Sequence, residues 1–167
     1  MNIVQKATDQ HAGLIRQQFN GDIQIDNLSG TTVLPRQHVL LTEKALVAAT
    51  ATIVANITIP ASKFIGGLLI GTVHANDASD FQAITDFFSF SAVNKAGTVT
   101  AIMQAAPTTS QVATSSGTLT PVTWSIVANG ASVDIKVAAT SSLTETVLAA
   151  TWQLFLNCDG ASVITKP

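Results

Sequence analysis

The stretch PVTWSIVANGASVDIKVAATSSL, from Pro121 to Leu143, narrows the choice of folds more than any other part of the chain. Apolar and polar residues alternate on both sides of Asn129-Gly130, a dipeptide that accepts positive φ and matches the twist of two antiparallel strands. A turn centred on that pair sets Ile126 opposite Val133, Trp124 opposite Ile135 and Val122 opposite Val137, all on one face. The other face carries Val127 with Ser132, Ser125 with Asp134 and Thr123 with Lys136. A slip of one residue would turn the apolar set toward water, so pattern and turn agree on one register. The stretch predicts a half-buried hairpin with Trp124 and Ile135 in the core and Asp134 and Lys136 facing out.

Strand patterns continue in both directions. TATIVANITIP alternates, with Ile53, Ala55, Ile57 and Ile59 on one face and Thr52, Val54, Asn56 and Thr58 on the other. FIGGLLIGTV is apolar on both faces, as expected of a strand that packs in a sandwich on one side and on a partner on the other. Its Gly66, Gly67 and Gly71 predict a bulge or the close approach of another backbone. FQAITDFFSFSAVN reads as a strand with Phe88, Phe90 and Ala92 on one side, and NKAG turns it into TVTAIMQ. APTTSQVATSSGT reads as a connection, and ETVLAATWQLFLN turns Leu148, Trp152, Leu154 and Leu156 inward. Roughly eight short strands separated by turn residues, without an amphipathic helix, predict an all-β fold, an antiparallel β-sandwich or jelly roll.

Residues 1–40 differ from this text. DIQIDNL alternates briefly, SGTT and LPR read as turns, and GLIRQQF suits one helical turn. The apolar positions Ile23, Ile25, Leu28, Val33 and Leu34 are too few for an independent core. The segment reads as an extended N-terminal arm that docks on a neighbouring subunit or surface, or as a first strand with loops wrapped on its own domain. Residues 41–167 form the sandwich domain in this reading.

Charge and chemistry restrict function. Asp, Glu, Lys and Arg make up 11% of the chain, against about 25% in an ordinary globular protein. The formal net charge is -2 and no basic cluster appears, which argues against nucleic acid. Cys158 is the only cysteine, so no disulfide forms within the chain. MNIVQKATDQ lacks the features of a secretory leader, and ALVAATATIVANITIP is too short and too polar to span a membrane. If the protein acts outside the cell that makes it, release by lysis fits both observations.

No constellation of catalytic residues appears. His11, His38 and His74 lack ligand spacing, and NDASD offers Asp77 and Asp80 without the order of a calcium loop. The glycines of FIGGLLIGTV are not followed by the Lys-Ser/Thr of a phosphate loop. There is no tyrosine and there are two tryptophans, both placed in the core by alternation, so aromatic platforms beside paired carboxylates are not foreseen. No G-x-S-x-G elbow exists, and a strand-end cysteine such as Cys158 is ordinarily structural. The expectation is a protein with no enzymatic activity, no cofactor and no bound metal.

VTWSIVANGASVDIKVAATSSLTETVLAATWQLFLN resembles a segment at the carboxyl end of small β-domains in bacteriophage virion proteins. There a hairpin with a core tryptophan precedes a Thr-rich loop and a strand ending in an aromatic or aliphatic run. FSFSAVNKAGTVTA is similar to the preceding hairpin of such domains, and together the likeness spans about residues 48–157. The resemblance implies a virion surface component, often trimeric: a capsid decoration protein, a head fibre or a tail-fibre tip. It brings no catalytic residue and does not reach the first 40 residues. The expected role is to decorate or cement the capsid exterior, with the major capsid protein and further copies of the chain, as a homotrimer, for partners. The alternative is a glycan-recognising, receptor-binding module of a head or tail fibre.

Overall fold

The computed structural model describes residues 15–17, 23–27, 34–39, 42–104, 111–144, 147–158 and 163–165. Every helix or strand among them is a strand. Strands β1 (Ile15–Gln17), β2 (Ile23–Asn27) and β3 (Leu34–Val39) form a three-stranded sheet in that order. The remainder is β4 (Thr42–Ala45), β5 (Thr52–Thr58), β6 (Lys63–Asn76), β7 (Phe81–Lys95), β8 (Thr98–Gln104), β9 (Gln111–Thr114), β10 (Thr123–Asn129), β11 (Ser132–Ala138), β12 (Val147–Cys158) and β13 (Val163–Thr165). Four of these form a sheet in the order β10-β11-β5-β13, and six form a larger one, β4-β12-β6-β7-β8 with β9 also on β7. All pairings are antiparallel.

The two larger sheets pack as a sandwich. Val54, Ala55 and Ile57 of β5 and Val133, Ile135 and Val137 of β11 are fully buried against Ile65, Leu69 and Val73 of β6 and Leu154 and Leu156 of β12. Leu148, Trp152, Leu154 and Leu156 are all buried, as the alternation of β12 requires. The chain is therefore an all-β antiparallel sandwich, the predicted class.

Three local expectations are corrected. GLIRQQF contributes β1 rather than a helical turn, and LPR opens β3 rather than forming a turn. Pro35 stands beside the register shift between β2 and β3, the kind of irregular site at which a strand accommodates proline. The supposed connection APTTSQVATSSGT contains β9, which pairs with β7 at Gln82–Thr85, beyond the last residue that β8 reaches. An edge left free by one short strand is taken up by another, which no periodicity inside QVAT foretells.

The hairpin forms, but two residues away from its expected register. Asn129 pairs with Ser132, so the turn is Gly130-Ala131, and Trp124 lies opposite Val137 rather than Ile135. Gly130 takes φ 59° at the first turn position, the place that a glycine fills without strain. A shift of two leaves every side chain on its intended face, and Trp124, Val133, Ile135 and Val137 are buried. Asp134, expected in water, is 4% exposed. It accepts from Asn56 Nδ2 at 2.7 Å and Asn129 Nδ2 at 3.2 Å, with Lys136 Nζ at 3.8 Å. Removing one partner of a buried, charge-assisted pair costs about 1–3 kcal/mol. Asp134→Ala is therefore expected to lower the urea midpoint clearly, and a midpoint equal to that of the parent would refute the network.

Strand β5 changes phase partway. Ala55 pairs with Ile135 and Ile53 with Lys136, so Val54 is an extra residue, a β-bulge. Val54 consequently turns into the core at 0% exposure while Ile53 is only half-buried, the reverse of strict alternation. Strand β6 keeps unbroken register with both neighbours, so its glycines mark close approach and not a bulge. A Cβ on Gly71 would fall inside the Trp124 indole, and one on Gly67 inside the Phe155 carbonyl oxygen.

One end of the sandwich is closed by irregular chain. Leu119 bridges to Ser141 and is 1% exposed. Buried Gln82 on β7 donates to the Ser116 carbonyl at 2.7 Å and accepts from Ser141 Oγ at 2.8 Å, so it fastens two loop segments to the large sheet. At the other end Asn94 donates to the Ile59 carbonyl at 2.6 Å and accepts from the Gly97 N–H at 2.8 Å, joining the second sheet to the β7–β8 turn.

Candidate interaction surface

The outer face of the six-stranded sheet is the largest departure from an ordinary surface. Side chains on a strand alternate between faces, so residues opposite inward ones are inward and the rest face water. Ile65, Leu69 and Val73 point into the core, which leaves Phe64, Gly66, Leu68 and Ile70 on the outside. Pairing with β7 then builds rows across that outside: Phe64–Val93, Gly66–Ser91, Leu68–Ser89 and Ile70–Phe87. Strand β8 extends the Gly66–Ser91 row with Ile102, and β12 extends the Leu68–Ser89 row with half-buried Phe155. Exposures of 49% for Phe64, 55% for Leu68, 48% for Phe87, 49% for Val93 and 70% for Ile102 make this one contiguous apolar patch.

The patch is uncharged. Outward positions of β12, β6, β7 and β8 hold Ser, Thr, Gln, Asn, His74 and apolar residues, and the charges on this face lie at its margins: Lys95 at the β7–β8 turn and Glu43 on the edge strand β4, opposite Thr151. Thr72 and Thr85 spend their hydroxyls on each other at 2.8 Å across β6 and β7. The sequence pointed to the two-faced character of FIGGLLIGTV. It did not reveal that Phe87, Val93 and Ile102 lie beside that strand's outer residues, because strand neighbours and register are tertiary facts.

Beyond the Thr72–Thr85 row a hollow opens on the same face, lined by His74, Asn76, Phe81, Ala83, Ala113 and Thr114. Phe81 is 64% exposed at its rim. The adjoining loop closes on itself: Ser79 N–H and Asp80 N–H each donate to Asp77 Oδ1 at 2.8 Å, and both bonds hold that carboxyl below its ordinary value of 3.8. Asp80 accepts from Ser115 Oγ at 2.9 Å, and Ser115 Oγ accepts from the Phe81 N–H at 2.8 Å. The aspartates of NDASD thus serve the loop and its junction with the segment after β9. Among the described residues no group of three or more His, Cys, Asp or Glu is placed to hold a metal ion.

No protein-family model matches the chain, and no curated protein matches it. Among solved structures it is similar to the Acinetobacter baumannii phage AM24 tailspike protein, at TM-score 0.40 and 13% identity, over 78% of this chain. The match spans 28% of that tailspike.

Of the residues singled out for shell or subunit contact, Ile23, Ile25 and Leu34 fall in the first sheet. Ile23 and Ile25 lie on β2, where Ile25 pairs with Ile15 and Gln37, and Ile23 pairs with Gln17 and Val39. Leu34 opens β3 opposite Asn27. The fold thus brings Ile23, Ile25 and Leu34 to one small sheet, while Leu28 and Val33 lie outside the described residues. Of the histidines, His38 on β3 pairs with Gln24 on β2, His74 borders the hollow, and His11 lies outside the described residues. Cys158, expected just past a strand, is the last residue of β12, opposite Ile65. No helix among the described residues is long and apolar enough to cross a membrane.

Proposed function

We propose that the chain is a structural component of a bacteriophage virion that decorates or cements the capsid exterior and catalyses no reaction. The observation that carries the reading is the broad apolar patch of Phe64, Leu68, Phe87, Val93 and Ile102 on the sparsely charged outer face of the six-stranded sheet, a surface suited to permanent contact. The resemblance of residues 48–157 to phage virion β-domains supplies the setting. In this reading the protein assembles as a homotrimer, and Ile23, Ile25, Leu28, Val33 and Leu34 anchor it to the major capsid protein. A cement protein acts by adding buried area across the joints of a shell, so that opening the shell must also break those contacts. Neither nucleic acid nor membrane is a partner.

Removing residues 1–40 is expected to leave a soluble oligomer that no longer co-sediments with undecorated capsids. Full occupancy of capsids by the shortened chain would show that the anchor lies elsewhere. A second reading is a receptor-binding module for host glycan, favoured by Phe81 at the rim of the hollow with His74, Asn76 and Thr114 around it. An intact protein that ignores capsids and adsorbs to host cells would establish that reading in place of the first.

A further inference from the structure

We infer that the partner covering the outer face of the six-stranded sheet is a second copy of this chain, seated on Leu68, Phe87 and Ile102. The inference rests on the self-association of the proposed function and assigns it a face; a face that receives itself is a two-fold contact, so it pairs copies and does not by itself close a ring of three. Area is the first argument. The five exposed side chains Phe64, Leu68, Phe87, Val93 and Ile102 leave on the order of 500 Å² of apolar surface, toward the upper limit for a single patch on a monomer. A standard interface takes about 800 Å² from each partner, somewhat more than half of it apolar, or about 450 Å². The patch alone meets that requirement.

Relief and charge argue that the partner is a copy. Across β6 and β7 the Gly66–Ser91 row is low, with no side chain on β6, and lies between the Phe64–Val93 row and the Leu68–Ser89 and Ile70–Phe87 rows. A surface with both ridges and a trough of small residues can receive its own ridges. A self-pairing face also meets every one of its charges again, and like charges in register repel. Here the outward positions of β12, β6, β7 and β8 carry no carboxylate, and the two charges on the face, Glu43 on the edge strand β4 opposite Thr151 and Lys95 at the β7–β8 turn, stand away from Leu68, Phe87 and Ile102. The sparse charge of the whole chain has its structural counterpart on this face.

Light scattering and sedimentation velocity on the full-length protein test the inference. The parent should run as an oligomer, and Leu68→Glu and Phe87→Glu should each run at monomer mass with an unchanged far-ultraviolet spectrum, because both side chains face outward. Val127→Glu, on the exposed side of the smaller sheet, should keep the oligomer. Should the glutamate variants fail to fold, Ser91→Cys in a Cys158→Ser background gives a second route. A bismaleimide should join two copies through Cys at 91 and leave a Val127→Cys control unjoined. A monomeric parent, or Leu68→Glu at parental mass, overturns the inference. So does a monomeric parent that binds undecorated capsids through this face, losing them on Leu68→Glu, which would make the capsid the occupant. A monomeric Leu68→Glu that still binds capsids upholds the self-association face and leaves the anchor elsewhere, so the two readings fail separately.

Discussion

Trp124→Ala is expected to lower the stability by about 3–5 kcal/mol, the range for deleting a buried aromatic side chain. The indole is 6% exposed, lies on Gly71 of the opposite sheet, and has its ring centre 6.4 Å from that of Phe88. Its Nε1 has no hydrogen-bond partner among the described residues, so apolar contact carries the stabilisation. The reciprocal change sharpens the test. Gly71→Ala places a methyl inside the ring and should cost about 1–3 kcal/mol by overpacking. In the Trp124→Ala background the same methyl enters the space that the ring vacated, and its cost should fall close to zero. Urea unfolding of the parent, both single variants and the double variant measures this coupling. Strict additivity would mean that Trp124 and Gly71 do not touch.

A second large effect is expected at Gly67 and a small one at its neighbour. A Cβ at Gly67 meets the Phe155 carbonyl oxygen, and a backbone oxygen held in the β6–β12 ladder cannot swing aside like a side chain. Gly67→Ala must push two central strands apart and should cost about 3 kcal/mol, the upper part of the overpacking range. At Gly66 a Cβ would find the Phe90 oxygen and Ser91 Oγ at 3.6 Å, ordinary contact distance. Glycine within a strand is entropically unfavourable by about 0.5–1 kcal/mol relative to alanine, so Gly66→Ala should be neutral or stabilising. Adjacent glycines with opposite responses in the urea midpoint would confirm the packing of β12 on β6. Equal responses would contradict it.

Much of the fold was legible because its strands obey a period of two. The inward sets of β7, β11 and β12 were readable from the chain, and the sandwich followed from the number of such segments and the turns between them. The errors have local causes. The hairpin register was displaced because Asn129-Gly130 and Gly130-Ala131 both offer a glycine at a turn, and a shift of two keeps the same face. The phase of β5 was misread because a bulge at Val54 leaves no mark in the pattern. Asp134 was assigned to water because a lone aspartate on a polar face gives no hint that Asn56, 78 residues away, will cover it. The candidate surface was half legible. The apolar outer side of β6 was evident, whereas the contributions of Phe87, Val93 and Ile102 depend on which strands neighbour it.

Strands β6 and β7, of 14 and 15 residues, are twice the length of the 7-residue strands β5, β10 and β11 that face them. At about 3.3 Å per residue the large layer runs to nearly 50 Å and the small one to about 23 Å. The layers are therefore mismatched, and half of the long one overhangs. Regular strands cannot roof that overhang, so the segments around Leu119 and Ser141 do so, and irregular chain brings unpaired backbone groups with it. A glutamine in the midst of a hydrophobic layer is the result: Gln82 supplies the hydrogen bonds that a missing strand would have made. The long layer behaves as a plank clamped at one end by a sandwich and at the other by a polar clasp. Its free side presents one unbroken surface about twice as long as the fold's smaller half.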